Sequence, residues 1–253
     1  MNYLNIIIFL VAGLIVGSFL NVIIFRLDDL KSVVTDRSRC RNCKTVISWY
    51  DLFPVLSYTL LRGKCRRCGA TISWQYPVVE LGTGLLYAGL YIVYGLTPAL
   101  FFYLLVFSLL MIVAFYDILT EYVPEFFVWT SLILVALGGA YFGHFSFAEA
   151  LIGAAIGGGL LFLLVLFSKE KWMGSGDIKI GLILGFLAGY PRVIFGLFSA
   201  FIIGSIAGII YIYITKKGLK ASLPFAPFLI FAALIAIIYG DKVINWYLGK
   251  LIF

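Results

Sequence analysis

Asp117 and Asp177 each stand where a long apolar run meets a charged loop, and Asp177 closes the run Gly174-Ser175-Gly176-Asp177. An ionisable residue in or beside hydrocarbon is costly enough that it is usually retained for function. Two carboxylates that approach one another can share a proton and activate water, the chemistry of an aspartyl peptidase. A second cluster holds all four cysteines, as Cys40-Arg41-Asn42-Cys43 and Cys65-Arg66-Arg67-Cys68 with 21 residues between the pairs. Two such pairs can each donate two thiolates to one tetrahedral zinc ion, and closing that site supplies folding energy to a loop too small for its own core. The competing readings are a disulfide, disfavoured if the loop faces a reducing cytosol, and a catalytic cysteine. The single histidine, His144, maps to the opposite side of the membrane and could not assist one.

Of the whole chain, 63% is hydrophobic and only 12% is charged. With a mean hydropathy of +1.07, this excludes a water-soluble globule and implies an all-α polytopic membrane protein. Apolar stretches that can cross about 30 Å of hydrocarbon fall near residues 3–25, 77–96, 98–116, 124–142, 149–168, 193–214 and 223–240. A shorter one at 178–190 makes eight. The organisation expected is therefore a first transmembrane helix (1–25), a cytoplasmic zinc-binding insert (26–76) and a transmembrane domain carrying both aspartates (77–253). Glycine clusters from Gly153 to Gly159 and from Gly181 to Gly189 favour close helix packing in lipid.

Lysine and arginine accumulate on the cytoplasmic side of membrane proteins. With the N-terminus outside, ten of the 19 basic residues fall in the insert, and Lys169, Lys171, Lys179, Lys216, Lys217 and Lys220 join them inside. Only Arg192, Lys242 and Lys250 remain outside, so both termini face out and both aspartates face the cytoplasm. The net charge of +7 reflects this asymmetry and contact with anionic lipid, without a nucleic-acid partner. The first apolar segment lacks a basic stretch ahead of it, so it reads as a retained helix rather than a cleaved signal.

The thirteen residues after Asp177 reach only about 20 Å as a helix, short of the hydrocarbon thickness, so the start of that segment is expected below the surface. Gly174 and Gly176 would supply close approaches or positive φ there. The plainer alternatives are a small-residue loop with Asp177 as a helix N-cap, and Asp117 as an interfacial helix-end residue. Glu121 and Glu125 read as loop or helix N-terminal acids. Lys179 would either bias the aspartate pair or extend its ammonium to the surface.

Nearly end to end, these residues resemble the prepilin peptidases, or type IV leader peptidases, of bacteria. Gly17-Ser18-Phe19-Leu20-Asn21-Val22 with Arg26 is similar to that family's first-helix motif. The two cysteine pairs with Asp51, Pro54, Ser57, Leu61-Arg62-Gly63, Ile72-Ser73, Tyr76-Pro77 and Glu80 are similar to its cytoplasmic insert. Asp117 matches the first catalytic aspartate, and Asp177 the second within Gly-x-Gly-Asp followed by Lys179; Pro224-Phe225-Ala226-Pro227-Phe228 resembles the entry to the last helix. Glu125 stands where the family generally has aspartate, and Arg41 where proline is common. Archaeal preflagellin peptidases and presenilin-type proteases share the two-aspartate plan without the cysteine insert, which favours the bacterial branch.

The resemblance implies cleavage of a short basic leader from prepilins and pseudopilins, on the cytoplasmic side of their apolar helix. It also implies S-adenosylmethionine-dependent methylation of the new N-terminus, with Arg62, Gly63 and Glu80 as candidate donor-binding residues. No βαβ pattern or glycine-rich nucleotide fingerprint in the insert speaks for that second activity independently. Two other classes remain: a transporter, for which the chain lacks a second copy of the Gly-Ser-Gly-Asp region, and a non-catalytic assembly factor of a pilus or secretion machine.

Overall fold

The computed structural model describes residues 2–216 and 223–251; Lys217 and Lys220, two of the basic residues assigned to the inside, lie outside them. All regular elements among the described residues are helical. They are α1 (Tyr3–Phe25), α2 (Leu30–Thr35), α3 (Leu56–Leu60), α4 (Gln75–Tyr94), α5 (Pro98–Thr120), α6 (Glu125–Gly143), α7 (Phe147–Ser168), α8 (Ser175–Ala188), α9 (Arg192–Thr215) and α10 (Ala226–Leu251). Seven of them, all but α2, α3 and α8, are long and apolar enough to cross a membrane. The eighth segment is α8, whose 14 residues reach about 21 Å. Asp117 lies inside the last turn of α5 rather than beyond it, since that helix runs four residues past the end expected from hydropathy.

The chain divides into two compact units, Met1–Ile112 and Val113–Phe253. In the first, α1 packs on α4 through glycine. A Cβ at Gly13 would stand 2.6 Å from the Thr83 carbonyl, and one at Gly17 would stand 2.8 Å from Glu80 Cα. The insert between these helices is compact without being sheet-like: two isolated bridges, Arg39 with Val46 and Lys64 with Thr71, close its two cysteine turns.

In the second unit, α8 is held between α7 and α6 by backbone-to-backbone approaches that no side chain could enter. A Cβ at Gly157 would meet the Gly181 carbonyl at 2.3 Å, one at Gly185 the Gly153 carbonyl at 2.3 Å, and one at Gly139 of α6 the Phe186 carbonyl at 2.6 Å. Lipid tails are as apolar as leucine, so such contacts rather than a hydrophobic drive bring membrane helices together. Some large apolar side chains of these helices turn outward, as with Leu137 at 82% and Phe167 at 77% exposure, while Leu161, Ile183, Leu184 and Leu187 are buried beside the glycine contacts.

Candidate active site, metal centre and insert cavity

Both aspartates are buried in the second unit, Asp117 at 5% exposure and Asp177 at 7%. Their carboxylates interact electrostatically. Asp117 comes from the end of α5, and its Oδ2 makes no hydrogen bond with the protein; the amide of Ala226, first residue of α10, faces the same carboxylate. The N-terminal amides of a helix carry partial positive charge, so α10 presents a donor where negative charge would sit. Asp177 is the third residue of α8, and its carboxylate engages the amide of the capping residue Gly174. The sequence-based alternative of Asp177 as N-cap therefore gives way to Gly174 in that position.

Of the two uses expected for the motif glycines, positive φ and close approach, only the second is found. Gly174 has an ordinary extended backbone, φ −79° and ψ 155°, so no positive φ is used there. Gly176 supplies closeness: a Cβ would stand 2.7 Å from Val123 Cγ2, in the loop that follows α5. Two residues beyond Asp177, Lys179 Nζ donates to Glu125 Oε2 at 2.6 Å and lies 5.3 Å from the centre of the Trp129 ring, both on α6. Glu125 is thus more than a loop acid, because it ties the first turn of α6 to α8 beside Asp177.

The four cysteines converge as their spacing demands. All four Sγ atoms lie within 4.8 Å of one another, and Cys40 and Cys68 are 3.9 Å apart. Four thiolates at about 2.3 Å around a tetrahedral zinc would be about 3.8 Å apart, so the donor set fits that ion. The turns are near copies. Cys40 N donates to Thr45 O and Lys44 N to Cys40 O, while Cys65 N donates to Ala70 O and Gly69 N to Cys65 O, each at 2.8–2.9 Å. Lys44 and Gly69 occupy the same left-handed corner, at φ 57° and 71°. The hydroxyl of Thr45, 2.9 Å from Cys43 Sγ, and the Thr45 amide pull the Cys43 thiol down to about 6, while the Cys68 and Arg67 amides lower Cys65. Both shifts favour the thiolates a metal requires.

Sequence inspection overlooked the basis of that likeness. Arg39 to Trp49 and Lys64 to Trp74 are an internal repeat, Cys-Arg-x-Cys followed in each copy by Ile-Ser-Trp. Asp51 then receives a forked bond from Arg66, with Nη2–Oδ1 at 2.7 Å and Nε–Oδ2 at 3.0 Å, locking the linker after the first copy to the turn of the second. Arg26 caps the start of the insert by donating to the carbonyls of Ser32, Asp36 and Arg37.

Glu80 is separated from Arg62 and Gly63. At 6% exposure on α4, it accepts from the Val55 amide at 2.7 Å and engages the Ser18 side chain, which Gly17 lets approach. Val55 is β-branched yet sits at φ 60°, a strained position that the bond to Glu80 helps hold. Glu80 and Ser18 line a cavity of about 620 Å³. Arg62 and Gly63 line a neighbouring, more open recess of about 990 Å³, sharing Val55, Tyr58 and Ile72 as a common wall.

Residues 11–94 match the Bacterial Peptidase A24 N-terminal domain, and residues 104–241 match the Type IV leader peptidase family. The chain is 33% identical to a prepilin leader peptidase/N-methyltransferase of Bacillus subtilis, over 95% of its own length and 97% of that protein. It is 31% identical to one of Legionella pneumophila, covering 95% and 94%, and 29% identical to one of Pseudomonas aeruginosa, covering 93% and 91%. No solved structure matches it at comparable significance.

Proposed function

The chain belongs to the type IV leader peptidase family, and from that premise we propose that it is a membrane aspartyl endopeptidase acting at the cytoplasmic face. Its substrates are prepilins or pseudopilins, from which it removes the leader before methylating the new N-terminus. The observation that carries this reading is the pair of buried, electrostatically interacting carboxylates of Asp117 and Asp177.

In the reaction, the ionised aspartate takes a proton from water, which adds to the scissile carbonyl. The protonated partner donates a hydrogen bond to the carbonyl oxygen and then its proton to the departing amine. The two acids titrate as a unit, so the roles belong to the pair rather than to one residue. Burial strengthens their interaction with developing charge. Asp117 Oδ2, without a protein partner, is the oxygen available for that exchange, and the Ala226 amide fixes the orientation of the same carboxylate. Lys179 and Glu125 hold α8 against α6, and Gly176 allows the turn to seat on Val123.

Cys40, Cys43, Cys65 and Cys68 hold structural zinc, which organises the insert. S-adenosylmethionine supplies the methyl group, and the candidate residues for binding it are Glu80, Arg62 and Gly63. The placement of basic residues supports an orientation with both termini outside and with the insert and the aspartates in the cytoplasm of a bacterial cell, in its inner or plasma membrane.

The test is mass spectrometry of a prepilin-like substrate incubated in detergent with the protein and S-adenosylmethionine, beside Asp177→Asn. A shortened, methylated product made only by the unmutated protein is expected. Equal cleavage by Asp177→Asn would overturn the aspartyl mechanism, and shortening without methylation would remove the transferase half.

A further inference from the structure

Arg192, Lys242 and Lys250 stand toward the helix ends remote from the aspartates, and they are used in two ways. Lys242 and Lys250 are exposed and lie over the rings of Tyr239 and Trp246 on their own helix, α10, as at a membrane–water boundary. Arg192 turns inward, its side chain 16% exposed. Its Nε donates to Asp241 Oδ1 of α10 at 2.8 Å, and its guanidinium lies 5.2 Å from the centre of the Phe145 ring, in the turn between α6 and α7. Glu149, in the first turn of α7, is within its electrostatic reach. The stem of Arg192 is seated on Gly240, where a Cβ would stand 3.0 Å from Arg192 Cβ and Cγ. The end of α8 is fastened beside it. The Tyr190 amide donates to the Glu149 carbonyl at 3.0 Å, and a Cβ at Gly189 would stand 2.7 Å from Phe145 Cε2.

Distances along the two helices connect this meeting point to the acids. α8 is 14 residues long, so Asp177 in its first turn stands about 18 Å from Gly189. On α10, Gly240 follows Ala226 by 14 residues, about 21 Å, and Ala226 is the residue whose amide faces Asp117. The glycine contacts of α7 and α8 set how near helices lie, but van der Waals packing is not directional. A charge-assisted hydrogen bond is directional, so the bond from Arg192 to Asp241 opposes lengthwise sliding of α10. A slip of one residue would carry the Ala226 amide about 1.5 Å along the axis and about 100° around it, away from the Asp117 carboxylate.

We infer that Arg192 is a positioning residue of the peptidase. By holding Gly240 and Asp241 of α10 at the far end of α8, it keeps the first amide of α10 on Asp117 while α8 delivers Asp177. The inference rests on the aspartyl reading above and adds to it the contact that sets the height of α10 against α8.

The test combines cleavage kinetics of the full-length protein in detergent with hydrogen exchange, read by mass spectrometry, over residues 223–232. Misplacement of a reacting group by about 1 Å can cost on the order of 100-fold, so Arg192→Met is expected to lower kcat by about 10- to 100-fold per folded molecule. KM should be unchanged, the pH profile of kcat/KM displaced, and the amides that open α10 should exchange faster. Arg192→Lys, which keeps the charge, should recover most of kcat. A lower melting temperature with kcat per folded molecule and pH profile intact would overturn the inference and leave Arg192 an ordinary stabiliser. A fall in kcat without faster exchange at the start of α10 would overturn it too, as would a raised KM alone.

Should Arg192→Met fail to fold, Asp241→Asn and Gly240→Ala decide, since each loosens the same contact from the α10 side and is expected to give the same pattern. If the unmutated protein cleaves no leader, the peptidase reading falls by itself. The exchange measurement then still judges the clamp: faster exchange at the start of α10 in Arg192→Met supports it, and unchanged exchange refutes it.

Discussion

The cysteine insert and the aspartate pair solve the same problem, bringing reactive groups together, by opposite means. The insert does it within 29 residues of chain, Cys40 to Cys68, through two copies of one tight turn whose backbone bonds fix each thiolate locally. The aspartates are carried by separate helices with two further membrane segments between them, α6 and α7. Nothing local joins the pair. Their approach depends on how closely α8 can lie on α7 and α6, and hence on the absence of side chains at Gly139, Gly153, Gly157, Gly181 and Gly185. A cysteine turn is encoded by what is present at fixed spacing, and a buried carboxylate pair in a membrane domain as much by what is left out.

The largest effect that would sharpen this contrast is at the acids. Asp117→Ala and Asp177→Asn should each lower leader cleavage by about 10²–10⁴-fold or more, with zinc content and membrane insertion unchanged. Near-normal cleavage by either would break the pairing. Next, Gly157→Ala and Gly181→Ala should lose most cleavage, because the added methyl would stand 2.3 Å from the Gly181 carbonyl oxygen and 2.6 Å from the Gly157 carbonyl oxygen, respectively. An overpacking cost of roughly 1–3 kcal/mol should lower thermal stability, whereas zinc, measured by atomic absorption, should stay at one per chain.

Conversely, Cys40→Ser and Cys65→Ser should abolish zinc binding and methylation while leaving the aspartate pair assembled, so some cleavage should survive. A zinc-free, fully methylating preparation would contradict the structural metal. In metal-stripped protein, Cys43 should alkylate readily at neutral pH. Its depressed pKa of about 6 means the thiolate exists above that value and is lost as pH falls through it, so the alkylation rate should drop across that point. Added zinc should suppress labelling. The smallest effect expected is at Lys179→Met: the ammonium and the Glu125 carboxylate are 26% and 62% exposed, so solvent screens the pair to about 0.2–1 kcal/mol of stability. Cleavage should slow only several-fold, and Glu125→Gln should do the same.

The sequence by itself determined a good deal. Composition and apolar run lengths set the helical membrane class, since hydrocarbon leaves the backbone few other ways to satisfy its hydrogen bonds. Cysteine spacing set the four-sulfur cluster, because each pair lies within one turn. The odd acids stood out against apolar neighbours. The repeat from Arg39 to Trp74 and the four-residue spacing of Gly13 and Gly17 were also written there and needed only to be compared.

Tertiary structure alone decided the rest. That Gly176 serves contact with Val123 rather than backbone conformation, that Lys179 meets Glu125, and that Ala226 presents its amide to Asp117 all depend on helices distant in sequence. So does the separation of Glu80 from Arg62 and Gly63 into neighbouring recesses. Local chemistry is fixed by spacing along the chain, but these partners are fixed by the depth and rotation at which helices pack. In lipid that is set by close contacts summed over whole faces, which no short stretch of sequence contains.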